Sequence, residues 1–294
     1  SYPTIVKPVE VTAMKKITQK QIAGMNLIYS RSTLQDFLNS MNHLGIENIE
    51  LWSQLQFFCE YYKSTSNTTE LKNELKSRNL KLVSFIPEQC TWPYNIASSD
   101  KKIRKESCEY YIRNIDTAYR LGSKRVLLTP GWYEWDKNRE DGFQYSVESL
   151  RQLIPYFKET GIIPVLEILQ PGESNLMYNL ATTLQYAKCF NADELSFCID
   201  TVPVVLANET LNDYFLALPD RIRHLHLIDG TPTGHLVLGD GTHNIKEHLQ
   251  AMEQNNYQEY ITLEFGSSLY YKDPEFHMRR GLEYLTQLLK EDQE

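Results

Sequence analysis

The chain alternates short apolar segments with helix-length amphipathic segments along almost all of its 294 residues. The short segments are rich in β-branched and aromatic residues, which is typical of buried β-strands. A longer segment such as 33–44 instead repeats its apolar residues every three or four positions, which is typical of a helix. The predicted strands cover residues 22–28, 45–52, 81–86, 124–129, 162–169, 195–200, 223–228 and 260–265. Each is followed by a helix or a helix-sized stretch, so the sequence predicts eight βα units.

Continuously apolar strands are buried on both faces, which favours a parallel sheet. Eight βα units in fewer than 300 residues match a closed (β/α)8 barrel. The main alternative, an open doubly wound sheet, usually has a glycine-rich turn after its first strand, and residues 29–36 contain no glycine. We therefore predict an α/β protein with a single (β/α)8 TIM barrel over residues 21–294. Residues 1–20 form an N-terminal extension, and a native start at Met14 would make residues 1–13 a cloning remnant.

Composition excludes several functional classes. The net charge of −8 argues against a protein whose main partner is nucleic acid. No apolar run is long enough to span a membrane, and the N-terminus lacks the apolar core of a signal peptide. The cysteines are odd in number and form no CxxC pair, so we expect free thiols in a reducing cytoplasm rather than disulfides or a zinc knuckle.

Ionisable residues lie near the carboxyl ends of four consecutive predicted strands: Glu167, Asp200, His224 with His226, and Glu264. The carboxyl ends of barrel strands carry the active site. Alone, each residue has an ordinary explanation as a salt-bridged carboxylate or a core histidine. Together, three converging carboxylates in apolar strands are costly unless they are paired or bind a cation. Carboxylate and imidazole ligands suit Mn²⁺, Co²⁺, Zn²⁺ or Mg²⁺.

The two histidines of the seventh strand point the same way, because they are two residues apart. His226 lies nearer the carboxyl end, so we predict that it is the ligand. His224 then packs beneath His226 or supports it.

With these residues in place, the sequence resembles the xylose-isomerase-like barrels, and more narrowly the ketose 3-epimerases of the tagatose/psicose and fructoselysine types. Segments 87–95, 103–112, 166–175, 222–230 and 234–241 carry the likeness. The resemblance implies a homodimeric enzyme that binds one divalent metal ion. Mn²⁺ is the expected ion, and Co²⁺, Zn²⁺ or Mg²⁺ are the alternatives. Its metal ligands are Glu167, Asp200, His226 and Glu264. Glu167 and Glu264 are then the catalytic pair, which epimerises C3 of a ketose or ketosamine through a metal-bound cis-enediolate.

The resemblance also implies substrate contacts from the loops beyond the strands. Polar candidates are Glu88, Glu173, Asn175 and His235, and aromatic candidates that can stack on a sugar are Trp92, Tyr94 and Trp132. Some contacts of the tagatose-type enzymes are not matched. Pro203 and Pro232 stand where those enzymes have a histidine and an arginine, and residues 50–58 lack the loop of the fructoselysine type.

Three alternatives stay open at this point. The same metal site could support an aldose–ketose isomerase or an inosose-type dehydratase. An endonuclease IV-type DNA repair enzyme shares the fold but needs three metal ions and about nine ligands. This chain has seven histidines, and His43, His248 and His277 fall in predicted helices. A non-catalytic sugar-binding protein would tolerate the loss of a ligand, yet all four are present.

Overall fold

The computed structural model describes residues 14–54, 57–59, 67–89 and 94–291. Eight parallel strands pair in chain order and close into a barrel, with β1 and β8 joined through Ile22 and Ile261. The strands are β1 Ile22–Met25, β2 Asn48–Trp52, β3 Lys81–Ile86, β4 Arg125–Leu128, β5 Ile163–Glu167, β6 Ser196–Asp200, β7 Ile222–His226 and β8 Ile261–Leu263. The predicted (β/α)8 barrel is therefore confirmed.

Helices surround the barrel and follow the strands. They are α1 Leu34–His43, α2 Thr68–Ser77, α3 Lys101–Leu121, α4 Arg139–Thr160, α5 Leu180–Cys189, α6 Thr201–Leu206, α7 Leu211–Ala217, α8 Ile245–Gln254 and α9 Pro274–Glu291. The strands are one to three residues shorter than most of the predicted runs. After β1, for example, the chain turns into a short 3₁₀ helix at Leu27–Tyr29.

Local sequence signals set the helix ends. The side chains of Thr33, Asp100 and Asn138 each accept a hydrogen bond from a backbone N–H in the first turn of the following helix. Gly122 and Gly161 end α3 and α4 with φ of 80° and 71°. This left-handed conformation favours glycine, and it reverses the chain into the next strand.

The amino end of the barrel is closed by charged side chains. Arg125, which is 2% exposed, donates from Nε to the carbonyl oxygen of Arg223 at 2.7 Å. Glu259 contacts the guanidinium of Arg125 and accepts from Arg223 Nε at 2.7 Å. These three charged side chains occupy the amino end of the barrel, opposite the carboxyl ends of the strands.

An apolar layer fills the barrel interior below the carboxyl end: Met25, Ile86, Leu127, Val165 and Cys198. Two residues beyond Val165 and Cys198 on their strands come Glu167 and Asp200. Side chains two apart on a strand face the same side, so both carboxylates stand inside the barrel mouth, above the apolar layer.

The segment before β1 packs on the outside of the barrel. Ile17 is buried, and its N–H donates to Glu253 Oε1 of α8 at 3.1 Å. Lys16 pairs with the same carboxylate at 3.0 Å. Residues 1–13 lie outside the described part of the chain. Among the described helices, none combines the length and the apolar character needed to cross a membrane.

Candidate metal centre and active-site cavity

Four side chains converge at the carboxyl end of the barrel. Glu167, Asp200 and His226 are the last residues of β5, β6 and β7, and Glu264 follows β8 directly. One ligand atom from each of the four lies within 4.8 Å of the others. All four residues are buried, with exposed fractions of 0% to 9%. The structure thus brings together the four candidate ligands that the sequence indicated.

The central atom of this cluster is Nδ1 of His226. It lies 2.6 Å from Glu167 Oε1 and 2.8 Å from Glu264 Oε2. Within the described residues, neither His226 Nδ1 nor Glu264 Oε2 has a hydrogen-bond partner of acceptable geometry. Buried polar atoms are normally satisfied. Imidazole nitrogen and carboxylate oxygen are ligand atoms for divalent cations. Here two such atoms are buried, close together and without hydrogen-bond partners, so the site fits a divalent cation.

The acids of the cluster repel one another in a buried setting. Burial, together with the nearby Glu264, raises the pKa of Glu167 to about 8, although His226 opposes the shift. Burial and the charges of Glu264 and Glu167 raise the pKa of Asp200 well above its usual value. A divalent cation would offset both the burial cost and the repulsion.

A fourth buried carboxylate, which sequence reasoning did not single out, lies behind His226. Glu50 of β2 is 0% exposed, and its Oε1 accepts a hydrogen bond from His226 Nε2 at 2.6 Å. Its Oε2 lies 2.7 Å from Nε2 of the buried His224. Burial alone would raise the pKa of Glu50, but the imidazoles of His226 and His224 outweigh it and hold that pKa well below its usual range. The available signal was the one used for β5 to β8, a carboxylate within an apolar strand.

A cavity opens above the cluster, and three of the predicted substrate contacts line it. Its floor includes Glu167, Asp200 and Glu264, and its walls include Glu88, Glu173 and His235. Trp52 also lines the cavity, and its Nε1 donates to Glu88 Oε2 at 2.8 Å. His235 Nε2 lies 3.8 Å from Asp200 Oδ2 and 3.7 Å from Glu264 Oε2.

The loop that carries His235 is held from inside by Asp229. The carboxylate of Asp229 accepts backbone N–H groups from Gly239 at 2.9 Å and from His243 at 3.0 Å. The carbonyl oxygen of His235 accepts from the N–H of Gly266 just after β8 at 2.8 Å. These bonds hold the loop with His235 above the candidate metal ligands.

The other predicted contacts lie elsewhere or outside the described residues. Asn175 is buried and bonds to both the N–H and the carbonyl oxygen of Tyr133, so it braces a neighbouring loop. Tyr94 stacks on Tyr110 with ring centroids 3.6 Å apart. Neither they nor Trp132 belong to the described cavity lining. Trp92 falls outside the described residues. A role of these four in substrate binding stays a prediction.

Comparison with known proteins agrees with this architecture. Residues 39–288 match the family described as xylose isomerase-like TIM barrel. The chain belongs to this family. It is 25% identical over 275 residues to fructoselysine 3-epimerase of Shigella flexneri, a match that covers 90% of this chain and 96% of the relative. The predicted resemblance is therefore confirmed.

Solved members of similar fold support the same architecture. D-psicose 3-epimerase of Clostridium cellulolyticum H10, solved with D-tagatose, superposes with a TM-score of 0.75 at 15% identity, covering 92% of this chain and 99% of its own. The IolI protein, solved with a zinc atom, gives a TM-score of 0.78 at 16% identity and covers 92% and 98%. The Shigella relative and the Clostridium neighbour are both named as 3-epimerases, which supports an enzyme that acts on carbohydrates.

Proposed function

We propose that this chain is a divalent-metal-dependent epimerase that inverts C3 of a ketose or ketosamine. The observation that carries the proposal is the paired position of Glu167 and Glu264. They come from β5 and β8, both line the cavity, and both contact the same nitrogen of His226. Epimerisation needs one group to remove a proton and a second to return one to the opposite face.

The side chains of the site have separate roles in this reaction. A divalent cation held by Glu167, Asp200, His226 and Glu264 would act as a Lewis acid towards the carbonyl and hydroxyl oxygens of the sugar. One of the two glutamates removes the proton from C3, and the other delivers a proton to the opposite face. His235 stands close enough to the carboxylates to orient a sugar hydroxyl.

The charge of the cavity favours a neutral or cationic substrate. Five carboxylates line it, and within the described residues no lysine or arginine does. A phosphorylated sugar would bring further negative charge without a cationic partner. An ammonium group on a ketosamine could instead pair with the carboxylate of Glu88 or Glu173. The name of the Shigella relative, fructoselysine 3-epimerase, supports the same substrate class.

The test is a panel of neutral ketoses, ketosamines and ketose phosphates, incubated with the chelated protein before and after addition of Mn²⁺, Co²⁺, Zn²⁺ or Mg²⁺. Products are separated by chromatography and identified by NMR. We expect a C3 epimer of a ketosamine or neutral ketose, formed only with metal and fastest with Mn²⁺. An aldose product would show an isomerase, and loss of water a dehydratase. Either result would overturn the proposal.

The DNA-repair alternative has less support. In the described part of the chain, every candidate metal cluster shares His226, so the clusters describe one centre rather than three separate sites. The cavity is acidic, which disfavours a phosphodiester substrate. A cytoplasmic location and a homodimer remain predictions of the sequence analysis.

A further inference from the structure

The buried Glu50 has no part in the chemistry proposed above, although it contacts one of the metal ligands. It lies on β2, and its partner His226 lies 176 residues away on β7. The two strands are not neighbours in the barrel, so the carboxylate reaches across the interior below the cluster. Burying a carboxylate is costly unless it is paired, and here both oxygens meet an imidazole.

Glu50 is itself held in one orientation. While Oε1 accepts from His226, Oε2 lies 2.7 Å from His224 Nε2. The same nitrogen of His224 lies 3.0 Å from Thr262 Oγ1 on β8. All of these side chains are 0% exposed. The hydrogen bond at Oε1 and the close contact at Oε2 both hold the Glu50 carboxylate towards β7.

The contact between Glu50 and His226 determines which nitrogen of His226 is available to a cation. An ionised carboxylate only accepts hydrogen bonds, so the hydrogen between the two groups sits on Nε2 of His226. Nδ1, which lies beside Glu167 and Glu264, is then the nitrogen that can offer its lone pair to a cation. Nδ1 makes no hydrogen bond of acceptable geometry to any described residue.

We propose that Glu50 is a positioning residue for the metal site: it fixes the tautomer and the ring orientation of His226 so that Nδ1 can bind the cation. The inference rests on the metal site of the proposed function, but not on the identity of the sugar. Groups that hold a ligating histidine in this way typically change metal affinity by about 10- to 100-fold.

The first test measures Zn²⁺ affinity of the chelated protein by competition with a chromophoric chelator. Glu50→Leu removes the acceptor, and we expect the Kd to rise about 10- to 100-fold. Glu50→Gln keeps an uncharged acceptor, so its Kd should fall between those of Glu50→Leu and the wild type. The control is Glu253→Leu, which removes an equally buried carboxylate from α8. It should leave the Kd unchanged. Equal affinity in all four proteins would overturn the inference.

The second test reads the tautomer directly in the wild-type protein, so it does not depend on the folding of a variant. Long-range ¹H–¹⁵N NMR of ¹⁵N-histidine protein identifies His226 by the signals lost in His226→Asn. We expect Nε2 to carry a proton both before and after Zn²⁺ is added, and the Nδ1 signal to shift on addition of Zn²⁺. A proton on Nδ1 of a neutral ring would contradict the role of Glu50. Failure of the wild type to bind Zn²⁺ would instead contradict the proposed function.

Discussion

Glu264 differs from the other carboxylates of the cluster in its exposure to the cavity, because it is the most accessible of the four predicted ligands at 9%. Its Oε2 lies 3.7 Å from His235 and 2.8 Å from His226. A carboxylate that both faces the cavity and contacts the metal ligands can exchange protons with a bound sugar. Substitution of this single side chain should therefore affect catalysis directly.

Glu264→Gln keeps the size of the side chain but removes its basicity. We expect proton exchange at C3 of the substrate to fall by about 10²- to 10⁴-fold at saturating Mn²⁺, since a positioned acid or base contributes that much. Exchange is measured by NMR, and circular dichroism checks the fold. The exposed Glu283 of α9 supplies the control Glu283→Gln. Undiminished exchange in Glu264→Gln would remove Glu264 from the catalytic pair.

A second residue-scale prediction concerns His248 on α8, which is 5% exposed. Burial, with a smaller contribution from His243, lowers the pKa of His248 to about 4 from an ordinary 6.5. Below pH 6.5 the unfolded chain therefore takes up a proton that the folded protein excludes. The stability contributed by the neutral ring is complete above about pH 6.5 and is lost as the pH falls towards 4.

Between pH 7.5 and 5, wild-type protein should lose on the order of 2 kcal/mol more unfolding free energy than His248→Gln. Urea unfolding of both proteins at the two pH values measures this difference. Each protein's value at pH 7.5 is its own reference, so a constant effect of the substitution cancels. Parallel losses in the two proteins would contradict the prediction.

At the scale of elements, the order of the strands and the ends of several helices could be predicted because their signals are local. Glu167 and Asp200 end apolar strands, and Gly122 follows a periodic helix. The loop contacts could not be predicted in this way. The sequence predicts that Asn175 contacts a sugar. In the structure its side-chain amide instead makes two hydrogen bonds with the backbone of Tyr133 on another loop. Only the folded arrangement of the two loops determines that contact.

A substitution at Gly122, which ends α3, tests whether the glycine at a helix end is needed for its backbone conformation. Gly122 has φ of 80°, and a Cβ built there meets no heavy atom of the described residues within 4 Å. Gly122→Ala therefore costs only the strain of the left-handed conformation, about 1 kcal/mol of unfolding free energy. Gly172→Ala is the matched control, because its site is equally open and φ is not positive. Equal denaturation midpoints for the two variants would contradict this explanation.

At the scale of the whole molecule, closure of the barrel creates the site. The sequence predicted the convergence of four neighbouring strands because consecutive strands lie side by side. It did not predict that Glu50 of β2 meets His226 of β7, because that contact crosses the interior and depends on the closed shape. The acidic excess of the chain includes these buried carboxylates, so a cation should stabilise the whole fold.

A divalent cation at 100 times its Kd should add about 2.7 kcal/mol to the unfolding free energy and raise the Tm by several degrees. Asp200→Asn should abolish most of this shift. Asparagine can still accept the bond that Asp200 Oδ1 receives from the N–H of Val202 at 2.7 Å, so the start of α6 is preserved. Differential scanning calorimetry with Mn²⁺ and with chelator measures the effect. The same Tm shift in Asp200→Asn would argue against Asp200 as a ligand.

In the proposed mechanism, Glu167 and Glu264, with a divalent cation bound, exchange the proton at C3 of a sugar. The most direct measurement is turnover in ²H₂O with Mn²⁺, followed by NMR of the product. We expect deuterium at C3 of the epimer, none at C1, and no incorporation after chelation. Deuterium at C1 of an aldose, or an epimer formed without deuterium at C3, would contradict it.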